Sequence, residues 1–137
     1  MNVLVDTCIW SLALRRSTVR NHPLVGELTE LIREGRALML GLVRQELLSG
    51  VRTAAQFESL QTHLRAFPDV PLQTSDHEEA ASFFNECRAR GVQGTSVDLL
   101  ICAVAARRRA AVFTTDDDFV HYARVLPLAL HVPRTPQ

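Results

Sequence analysis

Residues 1–8 read MNVLVDTC. Asn2 to Val5 forms a short apolar run with the look of a strand, and Asp6 places a carboxylate where that run ends. Taken singly, Asp6 is a good helix N-cap, because its side-chain oxygen can accept from an orphan amide of the next turn. Whether it is more than a cap depends on whether other acids reach the same place, which is a question about the fold.

Working outward from this strand, residues 8–16 read as a helix that the stretch 17–23 breaks. Residues 24–35 carry apolar side chains at 24, 25, 28, 31 and 32, one face of a helix, with Gly35 as its C-terminal cap. ALMLG (37–41) is a continuous apolar strand, followed by helical stretches at 43–51 and 53–67 and a short strand VPL at 70–72. Residues 75–91 open with Ser75 and Glu78 in capping-box spacing and close on Gly91. A largely apolar helix over 95–109 precedes the strand AVFTT (111–115), a short helix over 116–125 and a last strand over 128–132. Strands alternating with helices predict an α/β fold of three layers, a central parallel sheet of four to five strands with helices on both faces. One domain is expected over 1–133, with 134–137 a short frayed tail.

Composition removes several function classes. The 15 basic residues are all arginine and balance 15 acids, so the net charge is +0. Without a lysine the chain cannot run a phosphoacceptor switch of the receiver type, and it has no GxxxxGK[ST] phosphate loop. A haloacid-dehalogenase-type phosphatase would want an acid two residues after Asp6, where Cys8 stands. Cys8, Cys87 and Cys102 form no CxxC pair, which argues against a zinc site or a disulfide framework and suits a reducing, cytoplasmic setting. The start of the chain does not read as a signal peptide, and no apolar run approaches the ~18 residues of a membrane span. His22, His63, His77, His121 and His131 are scattered without an i, i+4 pair and are not expected to be metal ligands; His121 stands nearest an acidic run. Trp10, Phe83 and Phe84 read as packing residues.

In a parallel sheet the functional edge lies beyond the carboxyl ends of the strands. Asp6 and Asp116 each follow a predicted strand directly, Glu46 lies one helical turn after the second strand, and Asp98 lies in the first turn of the apolar helix. Each has a plain alternative: Asp6 and Asp116 as caps, Asp98 in a capping box with Thr95, Glu46 as a solvated helix residue. As a set they pose an electrostatic problem. Two carboxylates about 4 Å apart repel by roughly 4 kcal/mol at an effective dielectric of 20. With no lysine to offset this, a divalent cation is the natural counter-charge, and carboxylate ligands without His or Cys favour Mg²⁺ or Mn²⁺. Such ions support phosphodiester hydrolysis.

VLVDT at the start, VRQELLSG after the second strand, TSVDLLICAVA and the turn TTDDDF together resemble the PIN domain. More narrowly, they resemble VapC-type toxins of bacterial toxin–antitoxin pairs. The resemblance covers essentially the whole chain and implies a Mg²⁺- or Mn²⁺-dependent endoribonuclease. It also implies a homodimer held inactive by a small antitoxin, and no membrane association. By resemblance Asp6, Glu46, Asp98 and Asp116 are the catalytic acids, with Asp118 the competing choice for the fourth. Asp6, Asp98 and Asp116 would contact the metal, and Glu46 would orient or deprotonate the attacking water. Thr7, Ser96 and Thr114 would support the carboxylates by hydrogen bonds. Arg15, Arg16 and Arg20 are the first candidates for RNA phosphates and Arg44 the second, while Arg107–Arg109 read as charge compensation at a helix C-terminus. A PIN-like module that only binds RNA or a partner, and a DNA nuclease of related fold, are the alternatives.

Overall fold

The computed structural model describes residues 1–15 and 18–134. Its first strand, β1 (Val3–Val5), is completely buried. An apolar run with no polar face belongs at the centre of a sheet covered on both sides. The remaining elements follow in chain order: α1 (Thr7–Leu14), α2 (Pro23–Arg33), β2 (Ala37–Leu38), α3 (Gly41–Leu48), α4 (Ala54–Leu64), α5 (Thr74–Ala89), α6 (Ser96–Arg107), β3 (Ala111–Phe113), α7 (Asp118–Val125) and β4 (Ala129–Leu130). The four strands lie in the order β2-β1-β3-β4, all parallel, and helices cover the sheet as a three-layer α/β/α arrangement.

Registers at the sheet's centre set up the site. Val3, Leu4 and Val5 pair with Ala111, Val112 and Phe113, so β1 and β3 end side by side. The amide of Asp6 continues the ladder by donating to the Phe113 carbonyl at 2.9 Å. Asp6 and Thr114 are therefore opposite one another at the carboxyl edge.

Both central strands rest on α6, whose middle residues Ile101 to Ala105 are at most 1% exposed. Small residues such as Ala103 and Ala105 let that helix lie close to the sheet. Trp10 is buried and packs on Phe67 with ring centroids 4.9 Å apart, placing it in the core. Among the described residues no helix is long and apolar enough to cross a membrane.

Four local expectations need correction. VPL (70–72) is not a strand; the chain makes one parallel bridge, Met39 to Asp69, with the Val70 amide on the Met39 carbonyl. Pro71 has no amide with which to extend the pairing. The helix expected at 75 starts at Thr74, and its N-terminal partner is Asp76, which accepts from the Gln73 amide at 2.9 Å. Asp76 is wholly buried, and Arg107 (3.0 Å) and Arg108 (2.8 Å) both pair with it. Those two arginines thus neutralise a buried carboxylate on another helix as well as ending their own. Finally, Arg134 is not frayed: it bridges Glu27 and Glu34, and buried Glu27 also takes the Arg134 amide and His131 Nε2, each at 2.9 Å. Residues 135–137 lie outside the described residues.

Candidate active site

Asp6 caps α1, its Oδ1 accepting from the Thr7 amide at 2.8 Å. Its Oδ2 accepts from the Thr114 hydroxyl at 2.8 Å. Thr114 in turn takes the Asp116 amide at 3.0 Å, and Asp116 Oδ1 takes the Asp118 amide at 2.9 Å. A relay of short hydrogen bonds thus runs from the end of β1 through the β3–α7 turn. It turns a sequence of three aspartates into a defined loop, with Asp116 and Asp118 side by side at its tip.

Asp98 arrives from the other side, on the first turn of α6. Thr95 caps that helix by accepting the Asp98 amide at 3.1 Å. One carboxylate oxygen from each of Asp98, Asp116 and Asp118 lies within 4.8 Å of the other two. Ligands on opposite sides of a Mg²⁺ ion, with bonds of about 2.1 Å, lie about 4.2 Å apart. The three oxygens are therefore spaced to close on one hard cation with little movement, and an all-oxygen donor set suits such an ion.

The electrostatics show the same crowding. Asp98 has its pKa raised, first by burial and then by the charges of Asp116 and Asp6, against the lowering effect of the Tyr122 hydroxyl. Glu46 opens to solvent on α3, yet its carboxyl reaches far enough into the cleft for desolvation to raise its pKa, with Asp6 and Asp98 adding repulsion. Thr7 Oγ1 is buried without a partner in hydrogen-bond geometry and lies on the Glu46 side, where it offsets part of the rise. Asp6, Glu46, Asp98 and Asp116 thus share one electrostatic neighbourhood. The tight triad, however, takes Asp118 in place of Asp6, whose two oxygens are drawn back to Thr7 and Thr114.

Other assignments divide. Thr114 holds Asp6, whereas Ser96 makes no hydrogen bond to an acid among the described residues and lines an apolar cleft with Leu42, Phe84 and Val97. Arg15 and Arg20 are exposed, and Arg16 lies outside the described residues. Arg15 follows the C-terminus of α1, about 13 Å along the helix from Asp6. Arg44 is not free for a phosphate: it pairs with Asp69 at 2.9 Å and donates to the carbonyls of Leu64 and Phe67. That contact ties α3 to the end of α4.

Two neighbours of the acids were not foreseen. Cys8 Sγ lies 3.5 Å from Thr114 Oγ1 and 3.8 Å from Asp6 Oδ2, and it accepts the Thr115 amide. Tyr122, 1% exposed, donates its hydroxyl to Asp98 Oδ2 at 2.9 Å. The available signal was position: Tyr122 falls one turn after Asp118 on the same helix face, and a buried tyrosine hydroxyl needs a partner. His121 is exposed and, with Asp118 and Tyr122, lines a pocket of about 240 Å³. Among the described residues no histidine joins the acidic group.

The fold has structural relatives. FitAcB from Neisseria gonorrhoeae is similar over 96% of this chain and 97% of that one, at 21% identity and a TM-score of 0.78. VapBC2 from Rickettsia felis, solved bound to a promoter DNA fragment, is similar over 96% and 98% of the two chains, at 18% identity and a TM-score of 0.75. VapBC-5 from Mycobacterium tuberculosis, a member of the VapBC family of toxin–antitoxin systems, is similar over 98% and 100%, at 20% identity and a TM-score of 0.64. At such identities the likeness establishes the fold. No curated protein sequence matches the chain. Residues 3–125 match the PIN domain, and the chain belongs to that family.

Proposed function

We propose that this protein is a metal-dependent endoribonuclease and the toxin of a toxin–antitoxin pair. The observation that carries the reading is the group of three carboxylate oxygens within 4.8 Å at the carboxyl edge of a parallel sheet, none of them in an ion pair with an arginine among the described residues. Membership of the PIN domain family and a fold shared with VapBC proteins support it.

Asp98, Asp116 and Asp118 would hold Mg²⁺ or Mn²⁺, with Asp6 completing the site directly or through water. When bound, such an ion offsets the carboxylate charges and supplies Lewis-acid chemistry for cleaving a phosphodiester. Glu46 stands apart from the triad, and its raised pKa makes it a better proton acceptor than an ordinary glutamate. On this reading it takes a proton from the attacking water. Thr7 and Thr114 hold the carboxylates in place. The exposed Arg15 and Arg20, with Arg16 between them in sequence, would take RNA phosphates beyond the scissile one. The working form would be a cytoplasmic homodimer restrained by its cognate antitoxin.

Cleavage of total RNA by the wild type and by Asp6→Asn, each with Mg²⁺, Mn²⁺ or EDTA, tests the reading. Discrete fragments that need both the ion and Asp6 are expected. A folded, antitoxin-free protein that cleaves no RNA in any of these conditions would overturn it. Cleavage confined to DNA would reassign the substrate.

A further inference from the structure

Asp98 differs from the paired acids elsewhere in the molecule. Among the described residues no arginine or histidine forms an ion pair with it. The neutral phenol of Tyr122 donates to its Oδ2 at 2.9 Å. That phenol is rigidly placed. Its ring is 1% exposed and meets Phe119 edge-on, with centroids 5.2 Å apart and planes at 78°. The loop before α6 closes against it: a Cβ on Gly94 would stand 3.4 Å from the ring and 2.3 Å from Leu99 Cδ2, so a larger residue there would require the Leu99 side chain to shift.

A neutral donor does something an arginine cannot. It fixes one oxygen of the carboxylate, and with it the plane of the group, while leaving the negative charge uncompensated. An arginine would orient Asp98 equally well but would cancel the charge that a cation needs. We infer that Tyr122 is a positioning residue for Asp98, pinning one carboxylate oxygen so that the other is presented to a cation shared with Asp116 and Asp118. The inference rests on the metal-site reading of the acidic triad.

The test is Mn²⁺ binding, followed by electron paramagnetic resonance of the free ion, on wild type, Tyr122→Phe, Asp98→Asn and the double variant. Tyr122→Phe keeps the ring and removes only the hydroxyl. It should weaken Mn²⁺ binding about tenfold. In the Asp98→Asn background the same change should cost nothing further, because the carboxylate it orients is gone. Tyr122→Phe binding Mn²⁺ as tightly as wild type would overturn the positioning role and leave the metal site standing. Wild type binding no Mn²⁺ would overturn both.

Discussion

The molecule contains two kinds of acid, and they behave oppositely. Asp76 and Glu27 are the buried ones, at 0% and 6% exposure. Each has at least one arginine on it, and both are held below the usual carboxylate range: Glu27 at about 2, by hydrogen bonds from Arg134 and His131 that outweigh its burial, and Asp76 chiefly by the Arg108 hydrogen bond. Asp98 and Glu46 are less buried, face other carboxylates, and have raised pKa values. Buried acids in this fold come with their counter-charge built in. Among the described residues Asp98 and Glu46 have none, although the chain has 15 arginines. Stability alone does not produce that pattern, whereas a site for an external cation does.

The largest effect that would sharpen this contrast is kinetic. Glu46→Gln should lower kcat by about a thousandfold, or roughly 4 kcal/mol of barrier, while Mn²⁺ affinity changes little. A parallel loss of both would place Glu46 among the ligands. On the paired side, Asp76→Asn should cost about 3 kcal/mol of folding stability in urea unfolding, because Arg107 and Arg108 lose their partner and α5 loses its N-terminal anchor. A cost below about 0.5 kcal/mol would break the comparison, since Asp76 would then be no more than a surface residue.

A third expectation follows from titration. Glu27 and Asp76 have depressed pKa values, so the stability they contribute is complete above about pH 4.5 and is lost as pH falls toward about 2. Asp98 and Glu46 have raised values and act with the opposite sign: protonating them relieves repulsion in the folded state. In EDTA, Tm should hold or rise slightly from pH 7 to pH 5 and then fall steeply below about 4.5. A steady decline from pH 7 would mean that the edge acids repel less than their surroundings indicate. The smallest effect is on stability: Asp98→Asn should raise it in EDTA by about 1 kcal/mol. Added Mn²⁺ should raise the Tm of wild type and not of this variant.

Much of this was legible in the chain itself. An apolar strand that ends in Asp6, a second apolar strand ahead of Glu46 and the TSVDLL helix start are local patterns, and local patterns survive in any fold that contains them. They were enough to predict the parallel sheet and to send four acids toward one edge. The corrections concern groups whose partners are distant in sequence. Asp76 meets Arg107 and Arg108 across 31 and 32 residues, Arg44 meets Asp69 across 25, and Tyr122 meets Asp98 across 24. Periodicity and capping rules cannot report such meetings, because helix packing on the sheet decides which side chains face each other.

The choice between Asp6 and Asp118 shows where the boundary lies. The sequence determined that acids would crowd the carboxyl edge, since strand ends and helix starts are written locally. Only the tertiary structure decided which three close on a single point. The register of β1 against β3 draws Asp6 back onto Thr114, and the hydrogen-bonded turn after β3 swings Asp118 forward beside Asp98. A difference of that size, a few ångströms in the placement of one carboxylate, arises from packing and pairing between distant segments, and no single segment carries it.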